Sequence, residues 1–433
     1  MRKLVLPVDL LATQVNTLIP RAKVSIASVA SDVSELIEDV RSNSLEALRN
    51  HAERFDGVVP EHFRVPQQEL DSALSGLDLE LREAIETAIE RVRTVSERTL
   101  PESVVVDLSL GAKVEQVYVP VDSVGLYVPG GKAVYPSSVV MNAVPAMVAK
   151  VPRIVVCSPA QKDNRGLPNG TILATCALLG ITEVYSIGGA SAVAALAFGV
   201  PEIGMDPVRM VTGPGNIFVA AAKRQLRGTI GIDSEAGPTE ILIIADSSAN
   251  PVFIAADLIS QAEHDENAAA VLVTDSADLI EAVELELSRQ VPLAVNLERI
   301  ERALSGEQSA LVLAKNLEQA VMVANEYATE HLEIHTSDAA ELAHQITNAG
   351  AIFIGEFSPV SLGDYLAGSN HVLPTSEQAK FGPGLGVHTF LRPQQRISYS
   401  AVGLGEVSNL IDRFSKAEGL SAHGSAARIR FEV

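Results

Sequence analysis

From about Val117 onward the chain alternates short β-branched runs with Ala-rich helical segments, and this rhythm restricts the fold more than any other feature. The runs Val124–Val128, Arg153–Cys157, Glu183–Ile187 and Val208–Thr212 are interleaved with Val139–Lys150, Gly170–Leu179, Ser191–Phe198 and Asn216–Leu226. Continuous apolar strands with helical crossovers belong to a parallel sheet covered on both faces. A second series follows Pro238: Glu240–Ala245, Ala269–Thr274, Ala310–Ala314, His331–His335 and Ala351–Gly355. The pattern predicts two α/β units in tandem with a boundary near Ile232–Glu240. Ligands of such sheets are expected at the C-terminal ends of strands, in the crevice between the units.

The remainder is organised differently. Apolar residues at helical spacing predict amphipathic helices over Asp32–Arg41, Leu45–Phe55 and Asp78–Arg98, which read as scaffold, with His51 and His62 at the surface. The last fifty residues are polar and punctuated by glycine, with a helix expected at Gly405–Lys416. That tail is too small to bury a core of its own, so it should dock on something else, such as another subunit.

A chain of 433 residues exceeds one compact core, and 47% hydrophobic residues mark it as folded. The formal charge of −21 argues against nucleic acid and anionic membranes as partners. Two cysteines, Cys157 and Cys176, lie in apolar stretches and read as core, which excludes a disulfide framework and a thiolate zinc site. Pro7 and Asp9 interrupt the first apolar run, so no secretory signal is expected, and no stretch is long enough to span a bilayer. A cytoplasmic protein is expected.

Chemistry gathers at four places. In Ser260-Gln-Ala-Glu-His-Asp-Glu266, Gln261 and His264 share one helix face and present an amide oxygen and an imidazole together. Glu330-His331 sits where a helix (Leu317–Ala328) gives way to a strand, an acid beside a base at a strand terminus. The turn-rich loop Gly363–His371 offers Asp364 and His371, and the tail adds Glu418 and His423. His335, His344 and His388 have no such company and read as structural or exposed. The turns Tyr127-Val-Pro-Gly-Gly131 and Gly213-Pro-Gly-Asn216 follow strands and open helices, where backbone N–H groups can hold an anion, although neither is a G-x-G-x-x-G. From the residues alone this is a metal site with O and N ligands plus an acid/base pair, a set that serves a zinc hydrolase equally well.

Taken in order, these segments resemble the histidinol dehydrogenase family, from about Arg54-Phe-Asp-Gly57 to Arg430. The resemblance is carried by Val124-Gly-Leu-Tyr-Val-Pro-Gly-Gly131, Gly213-Pro-Gly-Asn216, Ala236-Gly-Pro-Thr-Glu240, Ser260–Asp265, Glu330-His-Leu332, the loop from Gly363 through Ser369-Asn-His-Val-Leu-Pro-Thr375, and Ala422-His-Gly424. It implies two incomplete Rossmann-like parallel-sheet domains in tandem, a helical N-terminal region and a small C-terminal segment exchanged between subunits of a homodimer. The implied division is an arm at 1–23, a first domain of 24–126 and 241–385, a second of 127–240 on the NAD side, and a docking segment at 386–433. It implies one zinc ion per subunit held by Gln261, His264, Asp364 and His423, the last from the neighbouring subunit. Thr239, His371 and Glu418 are implied substrate contacts alongside the ligands and Glu330. Tyr127, Ser191 and Asn216 are implied NAD contacts. The implied reaction is oxidation of L-histidinol through histidinal to L-histidine with two NAD⁺, with His331 as base and Glu330 activating water.

Three departures from the family pattern stand out. Gly188-Gly-Ala-Ser191 has Ser where the family has Gln, which bears on one NAD contact. Gly382-Pro-Gly-Leu385 replaces Ser-Ser-Gly-Leu before the tail, and Asn43-Ser44 replaces Gly-Asp between the first helices, read as a capping variant. The rival readings are a related zinc/NAD dehydrogenase acting on another small polyol or sulfonated diol, a zinc hydrolase, and a two-domain solute-binding protein.

Overall fold

The computed structural model describes residues 1–22, 26–130, 134–235 and 237–432. Gly131 and Ala236 of the quoted motifs, and the domain limits at 23, 24 and 433, lie outside the described residues. Strands run in chain order as β1 Arg2–Val5, β2 Val104–Ser109, β3 Ala112–Pro120, β4 Val124–Tyr127, β5 Ile154–Ser158, β6 Glu183–Ser186 and β7 Met210–Thr212. They continue as β8 Gly231–Ile232, β9 Glu240–Ala245, β10 Ala269–Thr274, β11 Ala310–Leu313, β12 His331–His335, β13 Ala351–Ile354 and β14 Leu391–Tyr399.

Two parallel sheets result, as the alternating pattern predicts. One has the order β1-β11-β10-β9-β12-β13 and the other β6-β5-β4-β7-β8. Every residue of β9 and β10 is buried, which explains why their sequences are unbroken apolar runs and not alternating ones. In the five-stranded sheet, Val124, Leu126 and Val128 enter one core and Tyr127 the other, the period-two signature of a strand clad on both faces.

The N-terminal helices clad the five-stranded sheet. Val33, Ile37, Val40 and Leu48 pack with Tyr127 and Tyr185, while Leu70, Ile85 and Val92 pack with Leu126 and Val140. This differs from the expected grouping of 24–126 with 241–385. Amphipathicity shows that a helix has a face to bury and does not name the sheet that covers it. The first residues do join the six-stranded sheet, through β1 and through Leu6, Val15 and Ile19.

The two helices expected on either side of residue 43 run within Ala30–His51 and are separated by a kink at Ser44, with φ 50° and ψ −119°. Asn43-Ser44 thus lies at the break between the two helical stretches. A further difference is the antiparallel sheet β14-β3-β2. The tail's β14 pairs along the whole of β3, from Leu391 opposite Pro120 to Tyr399 opposite Ala112. Beyond it, helices Ala401–Ala417 and Ser421–Arg428 pack on each other and leave Val402, Phe414 and Ile429 exposed.

Candidate active site

A cavity of about 1520 Å³ lies between the two parallel sheets. On the five-stranded side it is reached from strand ends: Tyr127 closes β4, Gly188 and Gly189 follow β6, and Pro214–Asn216 follow β7. On the six-stranded side it is reached from strand starts. Thr239 precedes β9, and Glu330 and His331 open β12. Only half of the cleft therefore obeys the expected rule of C-terminal strand ends. The physical consequence is a change of polarity across it. Helices Gly189–Phe198 and Ile217–Leu226 start at the cavity and bring the partial positive charge of their first turns. Helix Pro251–Ala262 ends there and brings partial negative charge, which favours a cation.

At the strand starts the side chains are locked by one chain of hydrogen bonds. Gln261 Nε2 donates to Thr239 Oγ1 at 2.6 Å, and Thr239 Oγ1 donates to Glu330 Oε2 at 2.5 Å. The same carboxylate oxygen accepts the Glu240 N–H at 3.0 Å. Both recorded bonds fall on Oε2, so Oε1 is the oxygen left to meet a ligand. His331 Nδ1 lies 3.1 Å from the Glu240 carbonyl, which can only accept. This selects the Nδ1–H tautomer and leaves a lone pair on Nε2, the arrangement a general base needs. Behind this pair, Arg21 Nε donates to buried Glu240 Oε1 at 2.6 Å and its guanidinium stacks 3.9 Å above the Tyr327 ring. Burial pushes the Glu240 carboxyl up, and Arg21 opposes the shift.

The metal test turns on Gln261. Its side chain is 1% exposed, Nε2 is committed to Thr239, and Oε1 is buried with no hydrogen-bond partner among the described residues. A buried carbonyl oxygen without a partner is expensive unless something electropositive meets it. His264 Nδ1 donates to the Ser260 carbonyl at 3.1 Å, and its Nε2 lies 3.8 Å from Asp364 Oδ2. Two bonds of about 2.0–2.2 Å each can bridge that spacing. Asp364 in turn offers its carbonyl to His371 Nδ1 at 3.0 Å, and His371 Nε2 faces Ser138 Oγ at 3.2 Å. Burial pushes the His371 imidazole below its ordinary value, against the pull of Asp364. One amide oxygen, one imidazole and one carboxylate fit a divalent cation of the zinc class.

The cofactor side is equally fixed. Gly213 has φ +116°, and a Cβ there would stand 2.1 Å from the Tyr127 carbonyl, so the turn tolerates only glycine. Buried Lys223 pairs with buried Asp233 and also donates to the Gly213 carbonyl, while Asp233 accepts the Gly213 N–H. Asn216 caps its helix by accepting from Phe218 and Val219 N–H groups. The Tyr127 hydroxyl accepts the Gly189 N–H at 3.1 Å, and burial pushes its pKa up to about 12. Ser191 Oγ lies 2.8 Å from His51 Nδ1, and His51 Nε2 lies 3.0 Å from Asp39. His51 is thus buried and engaged, contrary to the surface position expected of it. Asp56 also lines this end, pushed up to about 6 by burial.

The histidinol dehydrogenase family model matches residues 19–431. A histidinol dehydrogenase of Leifsonia xyli subsp. xyli is 54% identical over 97% of this chain and 96% of its own length. One from Thermobifida fusca is 55% identical over 95% and 94%. The crystal structure of histidinol dehydrogenase from Elizabethkingia anophelis superposes with a TM-score of 0.94 at 30% identity, covering 100% of this chain and 98% of that one. The chain belongs to the histidinol dehydrogenase family.

Of the residues that the histidinol dehydrogenase motifs single out, Tyr127, Ser191, Asn216, Thr239, His264, Glu330, His331, Asp364 and His371 line the one cavity, and Gln261 bonds to its wall. Glu418 and His423 do not reach it. Both are exposed in the tail helices. Sequence reasoning missed a buried cluster of Asp257, Glu333 and His335 directly behind the site. His335, read as lacking company, lies 3.2 Å from Glu333. The signal was present in the His331-x-Glu333-x-His335 alternation on one strand face, with Asp257 one helical turn before Gln261.

Proposed function

We propose that this histidinol dehydrogenase family member oxidises L-histidinol through enclosed histidinal to L-histidine. The balance is one alcohol, one water and two NAD⁺ giving one carboxylic acid, two NADH and two protons. The observation that carries the reading is the hydrogen-bond chain from Gln261 through Thr239 to Glu330, beside a His331 whose Nε2 is free. When bound, NAD⁺ accepts the hydride, and zinc is a Lewis-acidic anchor for the substrate's amine and imidazole nitrogens.

Gln261, His264 and Asp364 hold the metal, with His371 and Thr239 shaping the substrate end. In the alcohol step, His331 Nε2 takes the hydroxyl proton as hydride leaves carbon. Glu330 Oε1 then draws a proton from water as its oxygen adds to the aldehyde carbon, and His331 Nε2–H returns its proton to the aldehyde oxygen, giving the gem-diol and a neutral His331. His331 takes a diol proton in the second oxidation. Tyr127, Ser191 and Asn216 line the NAD half, where two helix starts suit a pyrophosphate. Substituting His51–Ser191 for a longer side chain keeps a polar group at that wall.

His423 and Glu418 come from a second copy, whose tail covers the cleft of the first in a homodimer. The described helices include none long and apolar enough to cross a membrane, and the reading places the enzyme in the cytoplasm. A zinc hydrolase is disfavoured because a hydrolase has no use for a second polar wall with two helix starts. Glu330→Gln tests the assignment: oxidation of supplied histidinal should fall by about 10²-fold or more, and oxidation of histidinol to histidinal by much less. Equal losses in both half-reactions contradict a water-activating role.

A further inference from the structure

We propose that Glu333 is a positioning residue that holds the two metal-binding helices of the cleft in register with the strand of the acid/base pair; the proposal rests on the zinc-site reading above. Glu333 stands in a row of the six-stranded sheet whose other members are apolar except Lys3 on the exposed edge strand β1. Its in-register neighbours run Leu311, Leu272, Ile243, then Glu333, then Phe353. An aliphatic residue would fill the position without burying a charge, yet a fully buried carboxylate occupies it.

What the carboxylate does there is specific. Oε1 accepts the Val360 N–H at 2.7 Å. Val360 is the first residue of the helix Val360–Tyr365, which carries Asp364 and, through the Asp364 carbonyl, orients His371. Oε2 accepts from His335 Nε2 at 3.2 Å, and Asp257 hydrogen-bonds to the same carboxylate. Asp257 lies on helix Pro251–Ala262, one turn before Gln261. Glu333 itself is two residues along the strand from His331, on the same face. One side chain therefore ties the Asp364 helix and the Gln261 helix to the strand of the acid/base pair. Phe353 reinforces the joint. A Cβ on Gly363 would stand 2.6 Å from its ring, and its ring lies 6.0 Å from that of His331.

The candidate donor atoms of Asp257, Glu333 and His335 also lie within 4.8 Å of one another, as ligands of a cation would. The geometry favours the positioning role, because Glu333 Oε1 is committed to the Val360 N–H and Oε2 accepts from His335 Nε2. The two roles separate by experiment on the full-length protein, with zinc alone as probe and a chromophoric chelator as competitor. Wild type should bind one zinc per chain. Glu333→Gln should weaken zinc binding about 10- to 100-fold, with kcat recovering at saturating zinc and NADH binding unchanged.

Val360→Pro is the sharper variant. Proline is tolerated at the first helical position, so the change deletes the N–H that Glu333 accepts and leaves the carboxylate. It should weaken zinc by a similar factor, and Val360→Ala, which keeps the N–H, should not. Unchanged zinc affinity in folded Val360→Pro, or equal losses in Val360→Pro and Val360→Ala, overturns the proposal. A second zinc equivalent in wild type that Glu333→Gln abolishes also overturns it, in favour of a second metal site. A wild-type chain that takes up no zinc overturns the site reading itself, and this inference with it.

Discussion

Burial beside Glu333 pushes the Asp257 carboxyl up to about 8, since desolvation and the neighbouring carboxylate both oppose its ionisation. The unfolded chain releases that proton near 3.8. Unfolding in the interval between therefore releases a proton, and the folded state loses stability as pH rises. The contribution is fully present below 3.8 and gone above about 8. Asp257→Asn should flatten the dependence of unfolding free energy on pH by up to about 1.4 kcal/mol per pH unit across that window. Urea melts at several pH values measure it, and parallel curves for the two proteins would contradict the protonated Asp257. At this scale the sequence is legible where partners are adjacent along the chain. Gln261 with His264, and Glu330 with His331, sit within one helical turn or one bond of each other. The alternation His331-x-Glu333-x-His335 is legible on its strand, but its meeting with Asp257, like that of His51 with Ser191, depends on how helices pack and is not fixed by any local pattern.

Elements supply the polarity of the cleft. Two helix starts on the five-stranded side and one helix end on the six-stranded side divide it into an anion half and a cation half. The strands that set this up were readable because a doubly covered strand is an uninterrupted β-branched run. The hairpin β2–β3 escaped because all of β2 is exposed and only Ala112 and Val117 of β3 are buried. The break at Ser44 within Ala30–His51 is legible as the gap between two separate periodic stretches. Ser44 at the kink has a backbone conformation that suits glycine. Ser44→Gly should stabilise the protein by about 1 kcal/mol. The lost bond from Ser44 Oγ to Glu202 is solvent-exposed and contributes little. A thermal or urea melt that shows no gain would mean the kink carries no strain.

On the proposed reading, a second copy of the chain completes the site. Its tail presents exposed Phe414 (72%) and Ile397 (69%), and its implied fourth ligand, His423, stands outside the cavity. The proposed second copy would account for both facts, and mixing tests it. Inactive His264→Ala and His423→Ala chains, unfolded together and refolded, should recover up to about one quarter of wild-type sites, because each mixed dimer regains one intact site. No recovery would place the fourth ligand elsewhere. The tail was legible as a segment without a core, whereas the sheet that receives it, β3, was not. The central claim is that one cleft carries out two successive oxidations with one acid/base pair. Its most direct measurement is the amount of NADH formed when limiting L-histidinol is exhausted by the zinc-loaded protein in excess NAD⁺. Two NADH per histidinol, with histidine as product and no free histidinal, is the expected result. One NADH per histidinol with aldehyde released, or turnover only of another alcohol, would contradict it.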